Sequence, residues 1–122
     1  MNQLEAMFHW WNDAFTDRNS FTPENLGMFF TPDCVMKING EIRADGLAGL
    51  AARFQTVQRE VDHVEIHLPF EEGFAVGDRI FTHHLVSARK GDAAFGERVM
   101  GYAILRDGKL ALIDFLSIDT TA

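Results

Sequence analysis

Apolar residues change their period along this chain. Over residues 3–18, Leu4, Phe8, Trp11 and Phe15 recur at helical spacing while Glu5, Asn12, Asp13 and Thr16 fall elsewhere on the wheel, which predicts an amphipathic helix. Thr22-Pro23-Glu24 opens a second, short helix, with Thr as N-cap, Pro at the first helical position and Glu in the first turn. Leu26, Phe29 and Phe30 supply its apolar face. Thr31-Pro32 ends it, because proline has no amide hydrogen and disfavours helix in the residue before it. A strand over 34–38 follows, Asn39-Gly40 turns the chain back, and 41–43 returns. Asp45 is placed to cap a third helix reaching residue 58, with Leu47, Leu50, Ala51, Phe54 and Val57 inward.

From residue 61 the period becomes two. Val64, Ile66, Leu68 and Phe70 make one row of a strand and His63, Glu65 and His67 the other, with Pro69 marking an edge or a bulge. Gly77-Asp78 turns into a strand over 79–89, and residues 90–92 turn into the next. Asp107-Gly108, suited to a two-residue hairpin, turns into the last. That final strand is apolar on both faces: Leu110, Leu112, Leu116 and Ile118 on one, Ala111, Ile113 and Phe115 on the other. A strand with one wet face alternates apolar with polar, so this one needs cover twice. Helices cover one face. A second copy of the chain is expected on the other, giving a homodimer through the outer sheet face, with Val99, Ala103 and Leu105 beside the leucines. The predicted class is α+β: three N-terminal helices packed on a strongly curved antiparallel sheet, a cone with an internal pocket, in a single domain over residues 1–122.

Composition narrows the partners. Eleven phenylalanines and two tryptophans in 122 residues provide bulky apolar walls for a core or a cavity. A net charge of −7 with no basic stripe argues against nucleic acid and against anionic membrane surfaces. Cys34 is the only cysteine, which excludes an intrachain disulfide and a cysteine-based zinc cage. The N-terminus lacks a basic and then apolar leader, and no apolar run approaches the roughly 20 residues of a membrane span, so a cytoplasmic location is expected.

Four stretches carry a resemblance: residues 8–15 (FHWWNDAF), 28–35 (MFFTPDCV), 76–80 (VGDRI) and 105–110 (LRDGKL). In order and spacing the chain resembles the nuclear transport factor 2-like superfamily, in its SnoaL-like branch. That superfamily includes SnoaL-like polyketide cyclases, ketosteroid isomerases and limonene epoxide hydrolases. The resemblance implies a cone-shaped pocket but not a reaction, because the fold hosts many functions. Where ketosteroid isomerases carry a tyrosine and two aspartates, the matching positions are Trp11, Ile38 and Met100. Where cyclases and epoxide hydrolases carry an aspartate on the last strand, the match is Phe115, with Asp114 adjacent on the opposite face. The hydrolase arginine and aspartate match His84 and Val86. The familiar catalytic carboxylates are therefore absent on this matching.

Counting outward from Asp107-Gly108 pairs Ile113 with Tyr102, Asp114 with Gly101, Phe115 with Met100 and Ser117 with Arg98. The resemblance puts the first, third and fourth of these pairs on the pocket side. With Thr82 and His84 they would form an apolar cavity with few polar groups. Trp11 and Phe15 of the first helix, Met36 and Ile38 of the first strand and Phe54 of the third helix are its further walls. His84 is the candidate base, Tyr102 the candidate donor to a substrate oxygen, and Asp114 a candidate acid or base. His83 and His84 point to opposite faces, and His63 and His67 lie about 13 Å apart along a strand, so neither pair can share an ion. No metal or other cofactor is expected. The expected ligand is small, mostly apolar and oxygen-bearing, neutral or weakly anionic. Two classes fit: an isomerase-, cyclase-, dehydratase- or hydrolase-type enzyme with a histidine base, or a non-catalytic binding or dimerisation module.

Overall fold

In the structure, a computed structural model that describes residues 1–120, helix α1 (Gln3–Ala14) starts at a reciprocal cap. The Asn2 side chain accepts from the Glu5 amide and the Glu5 carboxylate accepts from the Asn2 amide, satisfying two otherwise unpaired donors. The last two residues of the expected domain, 121 and 122, lie outside the described residues. α1 buries Leu4, Met7, Phe8, Trp11 and Ala14. It stops before residue 18, where 15–20 fold into turns and the single Ser20 hydroxyl proton is shared between the carbonyls of Ala14 and Asp17. Helix α2 (Pro23–Leu26) is a single turn, with Thr22 Oγ1 accepting from the Asn25 amide at 3.1 Å.

Strand β1 (Phe30–Ile38) begins earlier than expected. Phe30 belongs to it, and Pro32 lies within it, where the pairing with the last strand shifts between Phe30 and Val35. Asn39 and Gly40, with φ of 54° and 82°, make the tight left-handed turn into β2 (Glu41–Asp45). Helix α3 (Gly46–Glu60) follows; Asp45 occupies its N-cap but makes no side-chain cap bond, so the expected cap is absent. Strand β3 (His63–Ile66) ends before Leu68-Pro69, whose peptide bond is cis, and β4 (Glu72–Val76) is an exposed strand with no buried row to reveal it in the sequence. β5 (Arg79–Lys90), β6 (Ala93–Arg106) and β7 (Lys109–Asp119) complete the chain.

The strands form one sheet in the order β2-β1-β7-β6-β5-β3, with β4 also on β5. The expected all-antiparallel cone is corrected in two respects. β1 runs parallel to β7, because the chain passes through α3 and five strands before β7 returns beside it, and the sheet does not close on itself. Among the described residues no helix is long and apolar enough to cross a membrane.

The last hairpin turns at Asp107-Gly108 as expected, with Arg106 opposite Lys109 and Leu105 opposite Leu110. The next pair is Ile104 with Leu112. Ala111 is therefore an extra residue on β7, a β-bulge. A one-residue slip exchanges faces, so every cross-strand pair beyond it differs from the count made from the turn. Ala103 faces Ile113, Tyr102 faces Asp114, Gly101 faces Phe115, Met100 faces Leu116 and Val99 faces Ser117. Val99, Ala103 and Leu110, expected outside, are buried on the helix side. Leu105 also packs against the core.

Candidate functional site

The inner face of the sheet presents Ile80, Thr82 and His84 from β5, Val99 and Ala103 from β6, and Ile113 and Phe115 from β7. Gly101 lies among them, and its missing side chain makes room: a Cβ there would collide with the Asp114 carbonyl oxygen and sit 2.8 Å from Phe115 Cα. Between this face and helices α1 and α3 lies a cavity of about 630 Å³. Met7, Phe8 and Trp11 of α1, Phe54 and Val57 of α3, and Met36 and Ile38 of β1 form walls against His84, Ile113 and Phe115. Its outer end is bounded by exposed residues, among them Arg53, Glu60, Phe95, Glu97 and Asp119.

His84 is the polar group deep in this cavity, with 2% of its surface exposed. Strand alternation turns it inward, and three phenylalanines enclose it. Phe70 stacks on the imidazole at 5.3 Å between centroids, while Phe8 and Phe115 meet it edge-on at 5.2 and 5.7 Å. Its Nδ1 is 2.7 Å from the Thr82 hydroxyl, itself fully buried. Nε2 has no protein partner among the described residues, yet no side-chain nitrogen or oxygen there is both enclosed and unpartnered. Nε2 is thus open to the cavity. Desolvation, with a smaller contribution from neighbouring His83, pushes the His84 pKa down to about 4. The ring is neutral at pH 7. If Thr82 donates to Nδ1, Nε2 carries the hydrogen and donates to a ligand; if Nδ1–H donates to Thr82, Nε2 accepts.

Several expected site residues lie elsewhere. Because of the Ala111 bulge, Tyr102, Met100 and Arg98 face the outer side of the sheet and line no part of the cavity. The Tyr102 hydroxyl donates to Asp114 Oδ2 at 3.4 Å, and Arg79 lies over its ring at 5.8 Å. Arg98 donates to Nε2 of His83 at 2.7 Å. Asp114 is on this outer face too, so neither Tyr102 nor Asp114 can act with His84 on one ligand. Phe15 packs against Trp11 at 5.3 Å and does not reach the cavity; Thr82 reaches it only through His84. Trp11, Met36, Ile38, Phe54, Ile113, Phe115 and Ser117 do line it. The residue that counting from the turn could not place is Glu97. It lies on the inner face, where its Oε2 accepts from Ser117 Oγ at 3.0 Å. The bulge hid it.

The structure is similar to an NTF2-like protein of unknown function from Exiguobacterium sp. 255-15, with a TM-score of 0.75 at 17% identity over 99% of this chain and 100% of that one. The fold is that of the nuclear transport factor 2-like proteins. A ketosteroid isomerase-like protein from Catenulispora acidiphila, solved with trimethylamine, gives a TM-score of 0.67 at 16% identity over 88% of this chain and 80% of that one. IdmH of Streptomyces antibioticus, described as a candidate polyketide cyclase, gives 0.63 at 17% identity over 89% and 86%. No family model and no curated protein matches the chain. At these identities the likeness establishes the nuclear transport factor 2-like fold, and the activities of the neighbours remain theirs.

Proposed function

We propose that this nuclear transport factor 2-like protein binds a small, mostly apolar, oxygen-bearing molecule in its cavity, with the ligand oxygen hydrogen-bonded to His84 Nε2. The observation that carries the reading is one imidazole nitrogen of a buried histidine, open to an apolar space of about 630 Å³ and without a protein partner among the described residues. A polar atom so placed gains most from a ligand that completes its bonding. The same geometry favours binding over acid–base catalysis. A histidine with its pKa pushed down to about 4 is a weak base, and the tyrosine and aspartate expected to assist it are on the far side of the sheet.

A matched pair tests this: naphthol and naphthalene, followed by thermal shift and titration calorimetry. Naphthol is expected to bind about fivefold or more tighter, the worth of one net hydrogen bond. His84→Phe is expected to remove that advantage while leaving naphthalene bound. No binding of either, or the same advantage in the variant, overturns the reading.

The outer sheet face supports a second part of the proposal, a homodimer. Met100 (46% exposed), Leu116 (63%) and Ile118 (63%) form an apolar patch there, continued by Phe74 and Tyr102. Arg98 and Arg79 share the face with Asp114, so a second copy related by a two-fold axis offers both apolar and opposite-charge partners on one self-complementary surface. Sedimentation of the wild type at low micromolar concentration is expected to give a dimer, and Leu116→Glu a folded monomer. A wild-type monomer of 13.8 kDa overturns it.

A further inference from the structure

We infer that the ligand of this cavity carries a positive charge at its outer end, a protonated amine joined to an apolar body that reaches inward to His84. The inference rests on the reading of the cavity as a ligand site, and it reverses the neutral or weakly anionic ligand expected from composition. Two independent observations carry it. One is the deeply buried His84 side chain, whose unpartnered Nε2 opens into the cavity and marks where a ligand's inner polar atom sits. The other is the charge around the outer end of the same space.

Among the described residues Glu60, Glu97 and Asp119 and one guanidinium, Arg53, line that end, and Glu60 and Glu97 are the carboxylates that the ligand's cation would meet. Their placement follows from the fold. Glu97 is two residues beyond Val99, the cross-strand partner of His84, so it lies on the same inner face about 7 Å further out. Asp119 is its partner on β7. Ser117 Oγ donates to Glu97 Oε2, which fixes the carboxylate and leaves acceptor capacity on both oxygens. Glu60, also in the lining, is the last residue of α3, and the C-terminal end of a helix adds partial negative charge of its own. Phe95, 42% exposed, is an aromatic residue of the same lining. Deeper in, the neutral His84 supplies no cation to receive an anion. An anionic ligand would therefore enter against carboxylates and find no counter-charge inside, whereas an amine meets complementary charge at the entrance and an apolar wall beyond it.

The test uses three probes that share a phenol head and differ in their tails: tyramine, tyrosol and para-hydroxyphenylpropanoate. Dissociation constants come from backbone amide shift titrations, which also report whether residues 82–88 and 95–99 respond. At about 50 mM salt tyramine is expected to bind at least about fivefold tighter than the propanoate, the effect of a few exposed ion pairs, with tyrosol between. At about 1 M salt, where charges are screened within roughly 3 Å, the ratio is expected to fall towards one. Glu97→Gln is expected to cut the ratio by half or more, and Glu60→Gln to act in the same direction, while Glu72→Gln on exposed β4, outside the cavity, preserves it. A propanoate that binds as tightly as tyramine overturns the inference and leaves the cavity reading standing. So does a ratio indifferent to both Glu97→Gln and Glu60→Gln. Failure of all three probes to bind overturns the cavity reading and this inference together.

Discussion

Burying a histidine in its neutral form makes the fold acid-sensitive by an amount that can be calculated. The His84 pKa is pushed from 6.5 to about 4 on folding, mainly because the enclosing phenylalanines exclude water from the charged ring. Between these values the unfolded chain takes up a proton that the folded chain refuses. The contribution of His84 is fully present above pH 6.5, is lost progressively as pH falls, and is gone below about 4. At about 1.36 kcal/mol per unit, the whole effect is about 3 kcal/mol, of which about 2 kcal/mol is lost between pH 7.5 and 5. Urea unfolding of the wild type and of His84→Gln at those two pH values isolates it. The variant carries a constant cost from its altered packing, but its loss on acidification is expected to be about 2 kcal/mol smaller. The other titrating groups are common to both proteins and cancel. Equal losses within about 0.5 kcal/mol, or imidazole resonances of His84 that titrate near 6.5 in the folded protein, would refute the argument that this ring is held dry and neutral.

Thr82→Val leaves His84 Nδ1 without a partner and is expected to cost about 1–3 kcal/mol in urea unfolding, where Thr82→Ser costs less. Gly101→Ala drives a Cβ into the backbone of Asp114 and Phe115, neither of which can step aside; a loss above about 2 kcal/mol is expected, with melting temperature as the check. Tyr102→Phe removes only a 3.4 Å hydrogen bond on the outer face, so cavity affinity is expected to stay within about twofold, whereas a tyrosine bonding the ligand would cost about tenfold. Burial pushes the Cys34 thiol up to about 11, so a disulfide reagent at pH 8 is expected to label it only after unfolding.

Much of this fold was legible because its signals are local. The Asn39-Gly40 and Asp107-Gly108 turns, the Thr22 cap and the apolar stripe of α1 each follow from a few adjacent residues. What failed depends on contacts distant in sequence. The Ala111 bulge arises where β7 must serve two neighbours at once: Leu110 pairs with Leu105 on one side and, through Phe30, with β1 on the other. Nothing within 105–112 announces that demand. The cost fell on β6, where Tyr102, Met100 and Arg98 were given the wrong face, while Phe115, Ile113 and Ser117, read along β7 itself beyond the bulge, were not. His84 was legible because a stretch of uninterrupted alternation, Ile80, Thr82, His84, leads to it. Glu97 was not, since a count from the turn reaches it only across the bulge on the neighbouring strand.

The single extra residue at Ala111 also bears on how function is transferred between proteins that share this fold. Residue correspondences counted from the Gly108 turn keep their phase for only two pairs. Beyond them, a count that ignores the bulge assigns cavity positions of β6 to the exterior and exterior positions to the cavity, and a catalytic side chain can be declared present or missing when only the phase has changed. Deleting Ala111 would set the two strands against each other: β6 is held to β5 by unbroken pairing from residue 93 to 104, so β7 beyond the turn would have to change face relative to it, taking Ile113 and Phe115 out of the cavity wall.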